Sequence, residues 1–310
     1  MKSSHRLFRL LLPMLGLGLL LPASGQLQID IQLDRNNYVV HEPVMAVVTV
    51  ENRAGKDILL GGPAGTSWLM IDLHSSDGKV ISSDAGEPAT KPVMLKKGAK
   101  ITREIDLMSF YPIEDPDAYL VTCNVYFPDL QRWLGASVKR LFRTVSAKPS
   151  FWERTVGVPQ GHRDAGRYRR YKLFTNKSNA LTPTGNMELQ LLYLQVIDEE
   201  SEENLTTHPL SQILTYRDPQ ATTDSSGNLH VLFMFGPQLF YHLTLDVDGA
   251  VVEKKIYSSG DNSIPTLMQS NDARVSVRGG RLFDPIVEAE LARKRAKELK
   301  NLSDRPPINP

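Results

Sequence analysis

Cysteine is nearly missing: Cys123 stands alone in 310 residues, so no disulfide within the chain can brace the fold, and a cysteine-rich zinc site is excluded with it. Charge of one sign is missing too. The 36 Lys and Arg stand against 35 Asp and Glu, a net +1, which leaves no global field to gather nucleic acid or an anionic membrane. There is no G-x-S-x-G elbow, no H-E-x-x-H pair, no C-x-x-C, no G-x-x-x-x-G-K loop and no G-x-G-x-x-G turn, so enzymes that depend on those contiguous motifs are disfavoured. A triad or carboxylate pair assembled from distant residues leaves no such trace. No apolar run reaches the roughly 20 residues that span a bilayer.

The longest apolar run sits at the N-terminus. Lys2, Arg6 and Arg9 precede Leu10 to Leu21, which is broken by Pro13, Gly16 and Gly18, and Ala23-Ser24-Gly25 follows. That order is expected of a secretory signal peptide over residues 1–25, with the mature chain beginning at Gln26 and no transmembrane span left after cleavage. Losing the leader removes three basic residues and no acidic one, taking the net charge from +1 to −2. The expected location is therefore exported, periplasmic or extracellular. The remaining chain, with 41% hydrophobic residues overall, is long enough for two cores.

From Gln26 to Ala147 the pattern has period two. Leu27, Ile29, Ile31 and Leu33 alternate with Gln28, Asp30, Gln32 and Asp34, giving a first strand with one dry face. Val44–Val50, Trp68–Leu73, Ile101–Leu107, Tyr119–Phe127 and Val138–Val145 read as further strands, separated by turn residues such as Ser76-Asp-Gly-Lys79 and Lys97-Gly98. Short strands with regular turns predict an antiparallel sandwich over 26–147, since each sheet buries its apolar face only against another. Cys123, on one face with Tyr119, Val121 and Val125, reads as a small buried hydrophobe. The run from Val44 to Leu60, "VMAVVTVENRAGKDILL", with Trp68-Leu-Met-Ile-Asp-Leu73 and Asp117-Ala-Tyr119, resembles the immunoglobulin-like sandwiches of exported bacterial proteins. It is also similar to the proteinase-inhibitor domain of the BsuPI type. The resemblance implies a fold, and no reactive inhibitory loop can be placed.

Residues 148–166, rich in Gly and Pro, read as a linker or a long ordered loop. Strands are expected again at Tyr168–Thr175, Leu189–Ile197, Leu229–Phe235, Leu239–Leu245, Val251–Tyr257 and Arg274–Val277, making a β-meander domain over 167–283. Residues 224–257, "DSSGNLHVLFMFGPQLFYHLTLDVDGAVVEKKIY", resemble one blade of a β-propeller of the sialidase-repeat kind, with Leu192–Ile213 and Pro265–Phe283 as degenerate neighbours. The domain is too short for the four blades of roughly 40 residues that a closed propeller needs. Asp284 as N-cap, Pro285 and "IVEAELARKRAKELK" predict a C-terminal helix over 284–300, and 301–310 a disordered tail. The expected class is mainly β: an Ig-like sandwich, a blade-like meander domain and one helix.

The basic, aromatic stretch His162 to Lys172 is the expected binding surface, carried by Arg163, Arg167, Tyr168, Arg169, Arg170 and Tyr171. Arginine forks grip carboxylate or phosphate and tyrosines stack on flat ligands; internal ion pairing or the charge of a protected edge strand explains the same residues. A hairpin at Gly236-Pro-Gln238 with an even-sum register would set His230 and His242 as diagonal neighbours, two nitrogens of the three or four that zinc needs; half-buried strand histidines explain the pair equally. Asp246-Val-Asp-Gly249 and the acidic run Asp198 to Glu203 offer part of a calcium set, and serve equally as a turn and a solvated connection. No cofactor, catalytic residue or metal ligand is expected. The expected function is a non-catalytic binding or accessory module of a bacterial envelope, contacting an envelope protein or an anionic cell-surface polymer and not nucleic acid. The alternatives are a hydrolase of glycan or peptide with dispersed carboxylates, or a protease inhibitor acting through the first domain.

Overall fold

The computed structural model describes residues 27–136, 138–182, 185–260 and 263–284, and beyond them only 286, 287, 289, 290, 293, 294 and 297. The expected leader over 1–25 and tail over 301–310 lie outside the described residues. So does most of the expected helix over 284–300. Asp284 Oδ1 there accepts the Ile286 amide at 2.8 Å, and residues 286, 287, 289, 290, 293, 294 and 297 are helical, though no helix with described bounds stands among the elements.

The N-terminal half carries β1 (Leu27–Leu33), β2 (Asn37–Val39), β3 (Met45–Asn52), β4 (Ile58–Leu60), β5 (Leu69–His74), β6 (Val80–Ile81), β7 (Val93–Leu95), β8 (Lys100–Asp106), β9 (Ala118–Phe127), β10 (Arg132–Gly135) and β11 (Arg140–Val145). One sheet runs β1-β3-β8 and the other β2-β11-β9-β5-β6, with β10 on β9 and a separate β4-β7 ribbon. The alternation of β1 does what period two requires: Leu27, Ile29, Ile31 and Leu33 are buried, and Ile29 and Ile31 register with Val50 and Val48 of β3. Their core partners across the sandwich are Ile71, Val121, Cys123, Val125 and Phe142, closed by the fully buried Trp68. Asn52 is also buried, and it holds the turn after β3 together. Its Nδ2 donates to the carbonyls of Lys56 and Leu95, both at 2.9 Å, and its Oδ1 accepts the Ala54 amide.

The C-terminal half carries β12 (Trp152–Gly157), β13 (Tyr168–Thr182), β14 (Gly185–Asp198), β15 (Asn204–Gln212), β16 (Gln220–Thr223), β17 (Leu229–Gly236), β18 (Leu239–Leu245), β19 (Val251–Ser258), β20 (Thr266–Gln269), β21 (Val275–Arg278) and β22 (Arg281–Leu282). β12 falls inside the stretch expected to be linker or loop, because its charged residues Glu153 and Arg154 hide the alternation of Trp152 and Val156, which pack on the core. The blade-like stretch does form a meander, β17-β18-β19. It does not stand as one of several radial blades, however. Its inward residues Leu229, Val231, Phe233, Leu243 and Leu245 pack on Tyr171, Leu173, Leu192, Leu194 and Val196 of the β12-β13-β14-β15 sheet. Residues 192–213, expected as a neighbouring blade, supply β14 and β15 of that facing sheet. The result is a second sandwich, since β14 has its own apolar face to bury.

The two sandwiches keep separate cores, joined by a small third cluster of Val39, Phe174, Leu191 and Tyr193. There the long strands β13 and β14 overrun the second sandwich and touch the first. Arg35 bridges Ala180, and Ser178 Oγ donates to the Asn37 carbonyl at 2.7 Å. Arg35 reaches Glu42 through Nη2 at 2.5 Å and Tyr193 Oη through Nη1 at 3.1 Å. Glu42, with no exposed surface, also accepts the Val39 amide at 2.8 Å. Burial pushes the Glu42 carboxyl up and Arg35 pulls it down, leaving it above its ordinary range.

Candidate functional site

Of the six residues expected as a binding surface, the structure buries Arg169 and Tyr171, half-buries Arg170 and leaves Arg163, Arg167 and Tyr168 exposed. Strand β13 is interior, flanked by β12 and β14, so it is no protected edge, and its alternation drives every second residue inward. Tyr171 is a core residue whose hydroxyl donates to the carbonyls of Gly227 at 3.0 Å and Asp246 at 3.1 Å. Arg169 shares its parity and is 1% exposed. Its Nη1 meets Asp198, directly cross-strand, and its Nη2 meets Asp164 at 2.6 Å. Arg167 adds a 3.5 Å contact to Asp198, and on the opposite face Arg170 pairs with Glu199 at 3.3 Å and with Glu202. The acidic run 198–203 folds back from the β14–β15 connection and neutralises the arginines. Arg163, 3.4 Å from Asp164, Arg167 and Tyr168 remain largely exposed.

The Asp246–Gly249 turn meets the same cluster. Asp246 Oδ1 accepts the amides of Asp248 and Ala250, as a self-bonded turn requires, and Gly249 sits at φ +85° with no room for a Cβ, which would lie 2.9 Å from Val196 Cγ2. Asp248 faces His162, with Nε2 and Oδ2 at 3.0 Å. His162, Asp164 and Asp248 place one ligand atom each within 4.8 Å of one another. Hydrogen bonds already engage all three groups. His162 Nδ1 accepts the Asp164 amide at 3.2 Å, so Nε2 carries the hydrogen and donates it to Asp248. The Asp164 carboxylate is already held by Arg169.

His230 and His242 fall where the hairpin reading put them. The register pairs His230 with Thr244 and Leu232 with His242, which makes the histidines diagonal, and both are buried. Burial, with His230 and Lys255 nearby, lowers the His242 pKa to about 4.

Two open cavities lie among the described residues. One, of about 480 Å³ at an end of the first sandwich, is lined by Asp77, Asp84, Asp115 and Asp117 with Ser75, Lys79 and Tyr119. Hydrogen bonds from Ser75 and Ser76 hold Asp77 and Asp117 below the ordinary carboxylate range, so neither keeps the proton that a general acid needs. The second, of about 490 Å³, opens between the start of β12, the middle of β13 and the β15–β16 connection. Its floor is Phe151, Trp152, Ile213 and Pro219, and its rim Thr175, Thr215, Arg217 and Asp218. Among the described residues, the Arg217 guanidinium, the Asp218 carboxylate and the Trp152 indole N–H have no protein partner. An aromatic floor with uncommitted donors and acceptors at the rim is the usual make-up of a ligand cleft. Sequence reading missed it because its residues come from three separated segments; the Phe151-Trp152 pair, exposed and half-buried beside the domain passage, was its one local signal.

No family model matches this chain, and no curated protein does. Among solved structures, the sporulation control protein Spo0M from Bacillus subtilis is similar at 10% identity and a TM-score of 0.27, over 57% of this chain and 81% of that one. Similarity at that level carries no argument about activity. Among the described residues no helix is long and apolar enough to cross a membrane.

Proposed function

We propose that this protein is an exported, non-catalytic binding or accessory module of a bacterial envelope, and that it holds an envelope protein or an anionic cell-surface polymer in the Phe151–Trp152–Arg217 cleft. One observation carries the reading. The arginines of the 163–170 stretch are answered by Asp164, Asp198, Glu199 and Glu202, whereas Arg217 stands unpaired beside exposed aromatic surface. A free guanidinium next to aromatic faces offers an anionic group a bidentate donor and a flat surface to pack on.

The test is co-purification of partner from the native envelope fraction. Trp152→Ala and Arg217→Gln should each lose most of the captured partner, while Arg163→Gln and Arg167→Gln should retain it. The opposite pattern returns the site to the basic stretch, and unchanged recovery in all four variants removes both assignments.

A further inference from the structure

Strand β12 is an edge. It pairs with β13 on one side and, among the described residues, with no strand on the other. Just past its end the Val158 amide donates inward to the Arg167 carbonyl at 2.8 Å. By strand period the N–H and C=O groups of Arg154 and Val156 face β13 as well, and those of Glu153 and Thr155 face away. These outward donors and acceptors have no partner among the described residues, and Glu153, Arg154 and Thr155 are exposed. The Glu153 carboxylate does not guard the edge, because it is turned back onto the Ser150 hydroxyl and toward Lys172 of β13 at 4.0 Å.

We propose, resting on the cleft as the contact surface, that the partner is a protein whose extended C-terminal segment adds to β12 as an antiparallel strand and sets its terminal carboxylate on Arg217. Strand direction carries the assignment. β12 starts at the cleft, where Phe151 and Trp152 lie on the floor, and runs away from it to Gly157. An antiparallel strand added to it therefore runs toward the cleft and ends there. At that end stands the Arg217 guanidinium, with no protein partner among the described residues, and its fork matches a carboxylate bidentately.

The remaining lining completes the recognition. The apolar floor of Phe151, Trp152, Ile213 and Pro219 takes the last side chain, which is therefore apolar. Upstream, main-chain hydrogen bonds to Glu153 and Thr155 add affinity with little demand on sequence, the usual division of labour when a peptide extends a sheet. A parallel strand would bring an ammonium to Asp218 instead, but parallel pairing is the less stable of the two. An anionic polysaccharide would use Arg217 and the aromatic floor and leave the edge of β12 idle.

Thr155→Pro is the separating variant. The Thr155 N–H points away from β13, so proline there leaves the β12–β13 ladder whole and removes one outward donor. Captured partner should fall about 10-fold with Thr155→Pro, the scale of one lost hydrogen bond and a strand pushed off. Thr155→Ala keeps that N–H, and an equal loss in both variants overturns strand addition. Loss with Trp152→Ala but full capture with Thr155→Pro also overturns it and leaves the cleft standing, whereas full capture with Trp152→Ala removes the cleft and this proposal together. The unmutated protein gives a second measurement that no folding defect can obscure. It is applied to arrays of random heptapeptides anchored through their N-termini with free carboxylates, to the same peptides as C-terminal amides, and to a set anchored through the C-termini. Binders with an apolar last residue are expected in the first set, weakened about 10- to 100-fold by amidation, the range for hydrogen bonds to a charged group. Equal binding to the amides, preference for free N-termini, no binder in any set, or a captured partner that survives proteinase digestion as a glycan overturns the assignment.

Discussion

Replacing Arg35 by Met tests how the two sandwiches are joined. The change keeps most of the side-chain volume but removes the charge that answers Glu42, whose side chain has no exposed surface. What remains to that carboxylate is the Val39 amide and the Tyr193 hydroxyl. Breaking a buried ion pair by removing one partner typically costs about 3–5 kcal/mol, while removing both charges is often close to neutral. Arg35→Met should therefore lose about 3–5 kcal/mol in urea unfolding at pH 7, and adding Glu42→Leu should recover most of it. The pH dependence has a defined sign. Burial already raises the Glu42 carboxyl, and without Arg35 it rises further, so the folded variant binds a proton more readily than its unfolded chain. Its deficit is fully present above the raised folded pKa and shrinks as pH falls toward the unfolded value near 4.3. A single-variant loss below about 1 kcal/mol, the range of solvated surface pairs, or a double variant less stable than the single one, would refute the reasoning.

Four further outcomes follow from the same coordinates. Gly249→Ala combines positive φ with a 2.9 Å contact to Val196 and should destabilise by about 1–3 kcal/mol, seen as a lowered Tm. His242 is depressed to about 4 in the fold, so its share of stability is fully present above the unfolded histidine pKa near 6.5 and is lost as pH falls through about 4; His242→Phe should flatten the stability profile across that window. Cys123 has no exposed surface, and burial, with Asp30 and Asp72 nearby, pushes its thiol up to about 12. It should ignore a thiol reagent in the native state and react once denaturant unfolds the first sandwich. Trp152→Ala, at a half-buried cleft position, should reduce partner capture more than it reduces Tm.

Much of the sheet structure was legible in the residues because local alternation determines a strand's buried face. Leu27 to Leu33 needed no other information, whereas the parity that sets His230 diagonal to His242 comes from a β-bulge between Met234 and Gly236, which the turn at Pro237 and Gln238 does not by itself dictate. The basic stretch was legible only in part, for a complementary reason. Whether Arg169 faces solvent depends on β12 pairing along one side of β13 and on Asp198 lying opposite it across β14, and that register is a long-range fact. The signal available was the acidic run 198–203, of opposite sign and placed at the far end of the next strand, where a hairpin returns it to 163–170. Short strands such as β2 and β16, with three and four residues, show too few alternations to be read at all. The junction pair Arg35–Glu42 and the cleft are assembled by tertiary packing and leave almost no contiguous trace.

The most direct test of the proposed contact surface is photo-cross-linking in the native envelope fraction, with a photoreactive phenylalanine placed at Phe151 in one variant and at Tyr168 in another. Both side chains are exposed, 46% and 52% respectively, so the reagent has equal access to each. A discrete adduct from position 151 and none from 168 is the expected result. An adduct from 168 alone would return the contact surface to the charged stretch and contradict the cleft.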